Sequence, residues 1–229
     1  MTAPREGLLL VDKPAGITSH DVVQIVRRAY GERSIGHLGT LDPFATGLLI
    51  LLLGRATRLA NFLVTEPKVY EATIQFGSET DTDDGTGSLV REAGLPTASA
   101  IDEAITRLTG TISQVPPDYS AKSVDGTRAY AAARQGAALE LAPVEVHVHE
   151  WDVRGRRDDS IDVTIACGTG TYIRALARDL GRMTESAAHL SSLRRIRCGL
   201  FDVADATTLD KLKVAPPPLR TLHVIASDV

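Results

Sequence analysis

Asp42 is the residue best placed to do chemistry. It stands in the stretch Gly36-His37-Leu38-Gly39-Thr40-Leu41-Asp42-Pro43-Phe44-Ala45-Thr46-Gly47, framed by three glycines and a proline. Glycine permits positive φ and close approach of a ligand to the backbone. Proline fixes the chain just after the acid, and Leu41 and Phe44 can anchor the loop in a core. A carboxylate held rigidly at the floor of a cleft can add to an electron-poor carbon or take a proton. The same residues also describe an Asp-Pro turn whose carboxylate caps local amides.

A second cluster, Gly168-Thr169-Gly170-Thr171-Tyr172-Ile173-Arg174-Ala175-Leu176, is a glycine-bearing turn feeding a helix. Alone it could be an anion site at a helix N-terminus, but the lysine of a phosphate loop is missing. A third, from Ala188 to Gly199, reads as a strand that carries Leu193 and a basic side of Arg194, Arg195 and Arg197. Lys68 to Phe76 alternates, with Tyr70, Ala72, Ile74 and Phe76 on one face. Lys13 lies in the turn Asp12-Lys13-Pro14-Ala15-Gly16. From the residues alone, Tyr70 and Leu193 read as well as core side chains, and Lys13 as a solvated turn lysine.

The elements that must position these residues are legible in outline. Thr18 is the expected N-cap of a helix, with Asp21 as its capping-box partner and Val22, Val23 and Val26 recurring behind it. Arg27, Arg28 and Arg33 suit its C-terminal end and could equally touch phosphates. Leu48 to Leu53 is a buried strand, and Gly54 begins a helix through Leu63. The acidic stretch from Gly77 to Gly87 reads as a surface loop, since its carboxylates are out of register for a calcium loop. Thr97 to Leu108 is an amphipathic helix ended by Gly110, with Ser99 and Asp102 as a further capping signal. Pro116-Pro117 stiffens an extended path. Val144–Val153 and Ile161–Cys167 are strands joined by a hairpin loop over Arg154–Asp159. His147 and His149 have no third ligand at metal spacing.

The chain has 229 residues, a 43% apolar fraction and a net charge of −4. That suits one domain with a substantial core, or two closely joined lobes. Nucleic-acid binding would have to rest on local basic patches. Cys167 and Cys198 are too few for a disulfide framework and read as buried free thiols. No signal peptide and no membrane helix is expected, which places the protein in the cytoplasm.

The stretch around Asp42 resembles the catalytic motif of the TruB-type tRNA pseudouridine synthases, which isomerise a uridine in the T-loop of tRNA. The family pattern is G-H-x-G-[TA]-L-D-P-x-A-T-G. The likeness runs from about Gly7 to Leu209. It includes Asp12-Lys13-Pro14, Gly54-Arg55-Ala56-Thr57-Arg58-Leu59, the lysine and tyrosine of Lys68 to Tyr70, Gln114 to Ala121, Gly126 to Gly136 (which looks helical), Cys167 to Leu176 and Ala188 to Gly199. Two places depart from the pattern. Ile50 stands where members often have proline, and Lys122 is shifted by one residue, so no role is carried over to it.

The resemblance implies an α+β fold: a central mixed, largely antiparallel sheet flanked by helices, with a catalytic cleft. It implies that Asp42 is the catalytic acid and that Arg174 pairs with it. Tyr70 would pack on the target base, Tyr172 contact it after it flips, and Leu193 wall the pocket. His37 would fill the gap that the base leaves or contact the backbone, and Lys13 would face the RNA or the cleft. The arginines Arg27, Arg28, Arg55, Arg58, Arg194, Arg195 and Arg197 could track phosphates. No metal or organic cofactor is expected. The expected partner is the T-arm stem-loop of tRNA, bound at position 55 by a monomer. Residues 1–210 would form the catalytic domain and 211–229 a short tail with no room for a PUA domain, as in a stand-alone bacterial enzyme. Two rivals stand beside this reading: a carboxylate-based nucleoside or sugar hydrolase, which needs a second acid, and a non-catalytic RNA-binding module.

Overall fold

The computed structural model describes residues 6–120, 123–124, 127–128, 139 and 141–221. In chain order its first elements are β1 (Gly7–Lys13), α1 (Ser19–Tyr30), β2 (Ile35–Leu38), β3 (Thr46–Leu53), a 3₁₀ helix (Gly54–Phe62) and β4 (Lys68–Phe76). Then follow β5 (Ser78–Thr80), β6 (Leu89–Glu92), α2 (Ala98–Arg107), β7 (Gly110–Gln114), β8 (Ser123–Val124) and β9 (Thr127–Arg128). The rest are β10 (Val144–Arg156), β11 (Ser160–Cys167), α3 (Ile173–Met183), β12 (Ala188–Cys198), β13 (Phe201–Asp202), β14 (Thr207–Thr208) and α4 (Leu209–Val214). This is an α+β fold of mixed, mainly antiparallel strand pairs with helices. It divides into two compact units, Met1–Tyr70 with Arg194–Val229, and Glu71–Leu193.

The first unit is built on β3. Its apolar run is buried from end to end, as a strand covered on both faces must be. β1 pairs with it antiparallel along its whole length, Gly7 opposite Leu53 and Lys13 opposite Gly47. β2 pairs antiparallel with its C-terminal half, and Arg194 and Arg195 of β12 run parallel to Thr46 and Gly47. Leu8, Leu10, Leu48, Ile50, Leu52, Ala56 and Cys198 form one core cluster, each large side chain contributing about 2 kcal/mol by burial. α1 begins as the sequence predicts. The Thr18 hydroxyl accepts from the Asp21 amide, the Asp21 carboxylate accepts from the Thr18 amide, and Gly31 ends the helix at φ 63°. Its buried face is Val22, Val23, Val26 and Tyr30.

In the second unit β10 pairs antiparallel with β11 on one side and β7 on the other. β4 presents Ala72, Ile74 and Phe76 inward, so its period-two reading holds. β10 continues to Arg156, and the turn closes by the Arg157 amide donating to Ser160, so the hairpin loop is shorter than 154–159. The cap of α2 is Thr97, whose hydroxyl accepts from the Ala100 amide, so Ser99 is not the cap. Thr127–Arg128 pairs as a strand with Ser123–Val124. The remainder of the stretch read as helical, 126 and 129–136, and Lys122 lie outside the described residues.

The stretch Gly77 to Gly87 is not a surface loop: Glu79, Thr80, Asp83 and Asp84 are all buried. Arginines of α3 explain this. Arg178 Nη1 donates to Asp83 at 3.0 Å, and Arg182 pairs with Glu79. Asp84 accepts from the Thr82 hydroxyl and from the Thr86 amide at 2.9 Å. Burial still pushes the Asp83 carboxyl up to about 6, against the pull of Arg178.

Gly47 is the tightest point of the first unit. Its φ is +102°, and a Cβ there would lie 2.2 Å from the Arg195 carbonyl oxygen. Gly31 is also left-handed but opens onto free space. Gly47→Ala is therefore expected to destabilise by about 4 kcal/mol, strain and clash together. Gly31→Ala should cost only about 1 kcal/mol. Urea unfolding of the two variants checks this; equal shifts would contradict it.

Candidate active site

The Asp42 motif begins in a strand, not a loop. Gly36, His37 and Leu38 belong to β2, and Gly36 has open space around it. The glycines that use their freedom are Gly39, at φ +73°, and Gly47. Between them the chain is fixed from several sides. Ser19, the first residue of α1, lends its buried hydroxyl to Leu41 twice, accepting from the amide at 2.9 Å and donating to the carbonyl at 3.1 Å. The Ala45 amide donates to the Asp42 carbonyl at 3.1 Å, closing the turn through Pro43. The Gly16 amide donates to the Pro43 carbonyl at 2.8 Å. Leu41 and Ala45 are the buried anchors, while Phe44 is only half-buried.

Lys13 is 0% exposed, which corrects the solvated-turn expectation. Its ammonium donates to the carbonyls of Pro14 (2.9 Å), Ile17 (2.7 Å) and Pro43 (3.2 Å), using the three donors an ammonium has. Desolvation brings its pKa down to about 8. The Asp42 charge acts the other way and raises it, while that of Arg195 adds to the fall. Lys13 is thus a strut beneath the loop that carries Asp42.

His37 lies opposite Leu51 in the β2–β3 pair. Burial, then the charges of Arg195 and His20, hold its pKa below the usual value, so the ring is neutral at pH 7. Its Nδ1 is buried without a hydrogen-bond partner. Tyr70 is a buried residue of β4 at the end of the first unit.

In the second unit Tyr172 caps α3. Buried Gln114 grips its backbone with both ends of the amide, Oε1 accepting from the Tyr172 amide at 2.9 Å and Nε2 donating to its carbonyl at 3.1 Å. Arg174 is buried, and its guanidinium donates to the carbonyls of Thr82 and Tyr119, each at 2.8 Å. Gln114 therefore holds the Tyr172 backbone, and the Thr82 and Tyr119 carbonyls hold the Arg174 side chain. Leu193 is buried in β12. Gln114 was given no role from sequence; its place at the head of the string Gln114 to Ala121, before the double proline, is the signal it left.

Of the arginines expected to track phosphates, Arg195 does not reach the surface and two others are ion-paired. Arg194 pairs with Asp12 through two nitrogens, and Arg55 pairs with Glu6. Arg195 is buried, whereas Arg197 is exposed. Arg194 and Arg195, neighbours on β12, leave the strand on opposite faces. Among the described residues no group of three or more His, Cys, Asp or Glu side chains is arranged to hold a metal ion. No helix there is long and apolar enough to cross a membrane. Cys167 and Cys198 are buried thiols.

Comparison with known proteins fits this framework. The family model for the TruB pseudouridylate synthase N-terminal domain matches residues 27–173, and that for the tRNA pseudouridylate synthase B C-terminal domain matches 174–217. A tRNA pseudouridine synthase B of Thermobifida fusca (strain YX) is 50% identical over 217 residues, covering 90% of this chain and 74% of the relative. That of Mycobacterium tuberculosis (strain H37Rv) is 46% identical over 222 residues, covering 94% and 74%. Among solved structures, a chain of a Cbf5-Nop10-Gar1 complex superposes with a TM-score of 0.71 at 26% identity, covering 90% of this chain but 53% of that one. A model match spanning 27–173 and relatives near half identical along nine-tenths of the sequence show that the chain belongs to the TruB family of pseudouridylate synthases, which are isomerases.

Proposed function

We propose that the chain converts uridine 55, in the T-loop of tRNA, to pseudouridine, with Asp42 as the acting carboxylate. The observation that carries this reading is the loop itself. Asp42 sits in the family's catalytic string, and the backbone around it is held at Leu41 and Pro43 by Ser19 and Lys13. A group that must meet one sugar atom gains most from being placed before the substrate arrives. The relatives named tRNA pseudouridine synthase B support tRNA as substrate.

The reaction breaks the N1–C1′ bond of uridine, turns the base, and joins C5 to C1′. The sugar becomes electron-poor as the base leaves, so a carboxylate can add to C1′ or take a sugar proton. The base must leave its loop stack to be reached, and aromatic and leucine walls replace the lost stacking. Tyr70 stacks beneath the base and helps remove the C5 proton. Tyr172, Leu193 and Arg174 carry the roles that the family resemblance gives them. Neutral His37 takes the gap left by the base or meets the backbone. Lys13 acts through the loop rather than on the RNA. The enzyme works as a monomer, in the cytoplasm where tRNA is, and with no cofactor.

Tritium release from a T-arm stem-loop holding 5-tritiated uridine tests the reading. One equivalent should be released per RNA, and none when cytidine replaces uridine 55 while the other uridines carry the label. Release that ignores that replacement, or none from full-length tRNA either, would overturn it. Arg174→Lys should slow a single turnover about 100-fold, because an ammonium cannot reach both carbonyls as the planar fork does; an unchanged rate contradicts the assignment. The pH profile tests Lys13. Its pKa is lowered to about 8, so the charged form is present below that value and lost above it. The single-turnover rate should fall as pH rises through about 8, and in Lys13→Arg that fall should move to higher pH, since a guanidinium stays charged. A flat profile in the wild type from pH 7 to 9 would contradict the strut.

A further inference from the structure

Arg195 is the largest fully buried side chain of the described residues, 1% exposed. The sequence groups it with arginines that meet phosphate, but nothing in its surroundings fits that use. Its Nε donates to the Leu48 carbonyl at 2.8 Å and its Nη2 to the Gly39 carbonyl at 2.9 Å. Those two carbonyls stand just before and just after the segment that carries Asp42. The two donors lie on one edge of a rigid planar group, so a single guanidinium spans the mouth of the loop. Both neighbouring glycines make room for this residue. A Cβ on Gly39 would come 3.2 Å from its Nη1, and one on Gly47 would strike its backbone. The register that pairs Arg195 with Gly47 brings the side chain to that place, while Arg194 beside it turns to Asp12.

We propose that Arg195 is a positioning residue for the catalytic loop: it ties the loop's two ends together through the Gly39 and Leu48 carbonyls and takes no part in holding RNA phosphates. Lys13 holds the middle of the same loop at Pro43. The two buried cations therefore grip the loop backbone at three points. The inference rests on the reading of Asp42 as the acting carboxylate, but one of its tests does not.

That test is hydrogen–deuterium exchange of the protein without RNA, comparing wild type with Arg195→Lys. A lysine keeps the charge but lacks the planar edge that presents two fixed donors to the Gly39 and Leu48 carbonyls. The amides of residues 39–48 should exchange at least about tenfold faster, with the rest of the first unit unchanged. Single-turnover tritium release should fall about 100-fold, while RNA affinity and its salt dependence stay within twofold of wild type. Gly39→Ala, which crowds the guanidinium without removing it, should show the same pattern at smaller size. It also serves if Arg195→Lys does not fold. Unchanged exchange in a folded variant would overturn the proposal. So would a normal turnover rate with weaker binding and a shallower salt dependence, the signature of a lost phosphate contact. If the wild type releases no tritium, the catalytic reading fails, and the exchange result still decides whether Arg195 orders the loop.

Discussion

Three carbonyl oxygens, of Pro14, Ile17 and Pro43, meet at the buried Lys13 ammonium. Burying a charge is costly unless its hydrogen bonds are met, and here each N–H has an oxygen to take it. The charge is therefore tolerable only while the turn after β1, the start of α1 and the Asp42 loop keep their places. That constraint runs outward. α1 must begin at Thr18 so that Ser19 can clasp Leu41. β3 must lie against β1 so that Gly47 faces Lys13. β12 must run beside Gly47 so that Arg195 can reach Gly39 and Leu48. The carboxylate of Asp42 stands on a backbone whose carbonyls are already occupied.

The second unit solves a related problem with other parts. α3 carries Arg174, Arg178 and Arg182 at spacings of four, so they share one side of the helix. Leu176 and Leu180 pack inward. The motif stretch after β4 supplies what that basic side needs. The carbonyl of Thr82 takes Arg174, Asp83 takes Arg178 and Glu79 takes Arg182. The acids look like a solvated loop in sequence and are buried because their partners come from a helix about a hundred residues later. The pair of Asp83 and Arg178 is close enough to be strong, yet burial still raises the Asp83 pKa, as expected where desolvation outweighs the attraction.

Local signals carried much of the fold. The Thr18–Asp21 capping box, the alternation of Lys68 to Phe76 and the apolar run before Gly54 depend on near neighbours, and each appears in the structure where the sequence puts it. What could not be read depended on distant residues. Nothing near Lys13 says that its ammonium will be covered by Pro43. Nothing near Gln114 says that it will grip Tyr172. The burial of Arg195 beside the ion-paired Arg194 is set by the strand pairing at Gly47, which period-two reading alone does not locate. The departures of α2's cap and of the β10 turn are smaller: the cap is Thr97, two residues before Ser99, and the hairpin pairing ran on through Arg156.

The central claim is that this framework exists to present the Asp42 carboxylate. The measurement that meets it most directly is single-turnover tritium release from a 5-tritiated T-arm RNA by Asp42→Asn, alongside the binding of that RNA. The substitution keeps shape and removes the charge. The account predicts wild-type affinity with release slowed by at least about 1,000-fold. Release at the wild-type rate would contradict it, and would remove Asp42 from the chemistry.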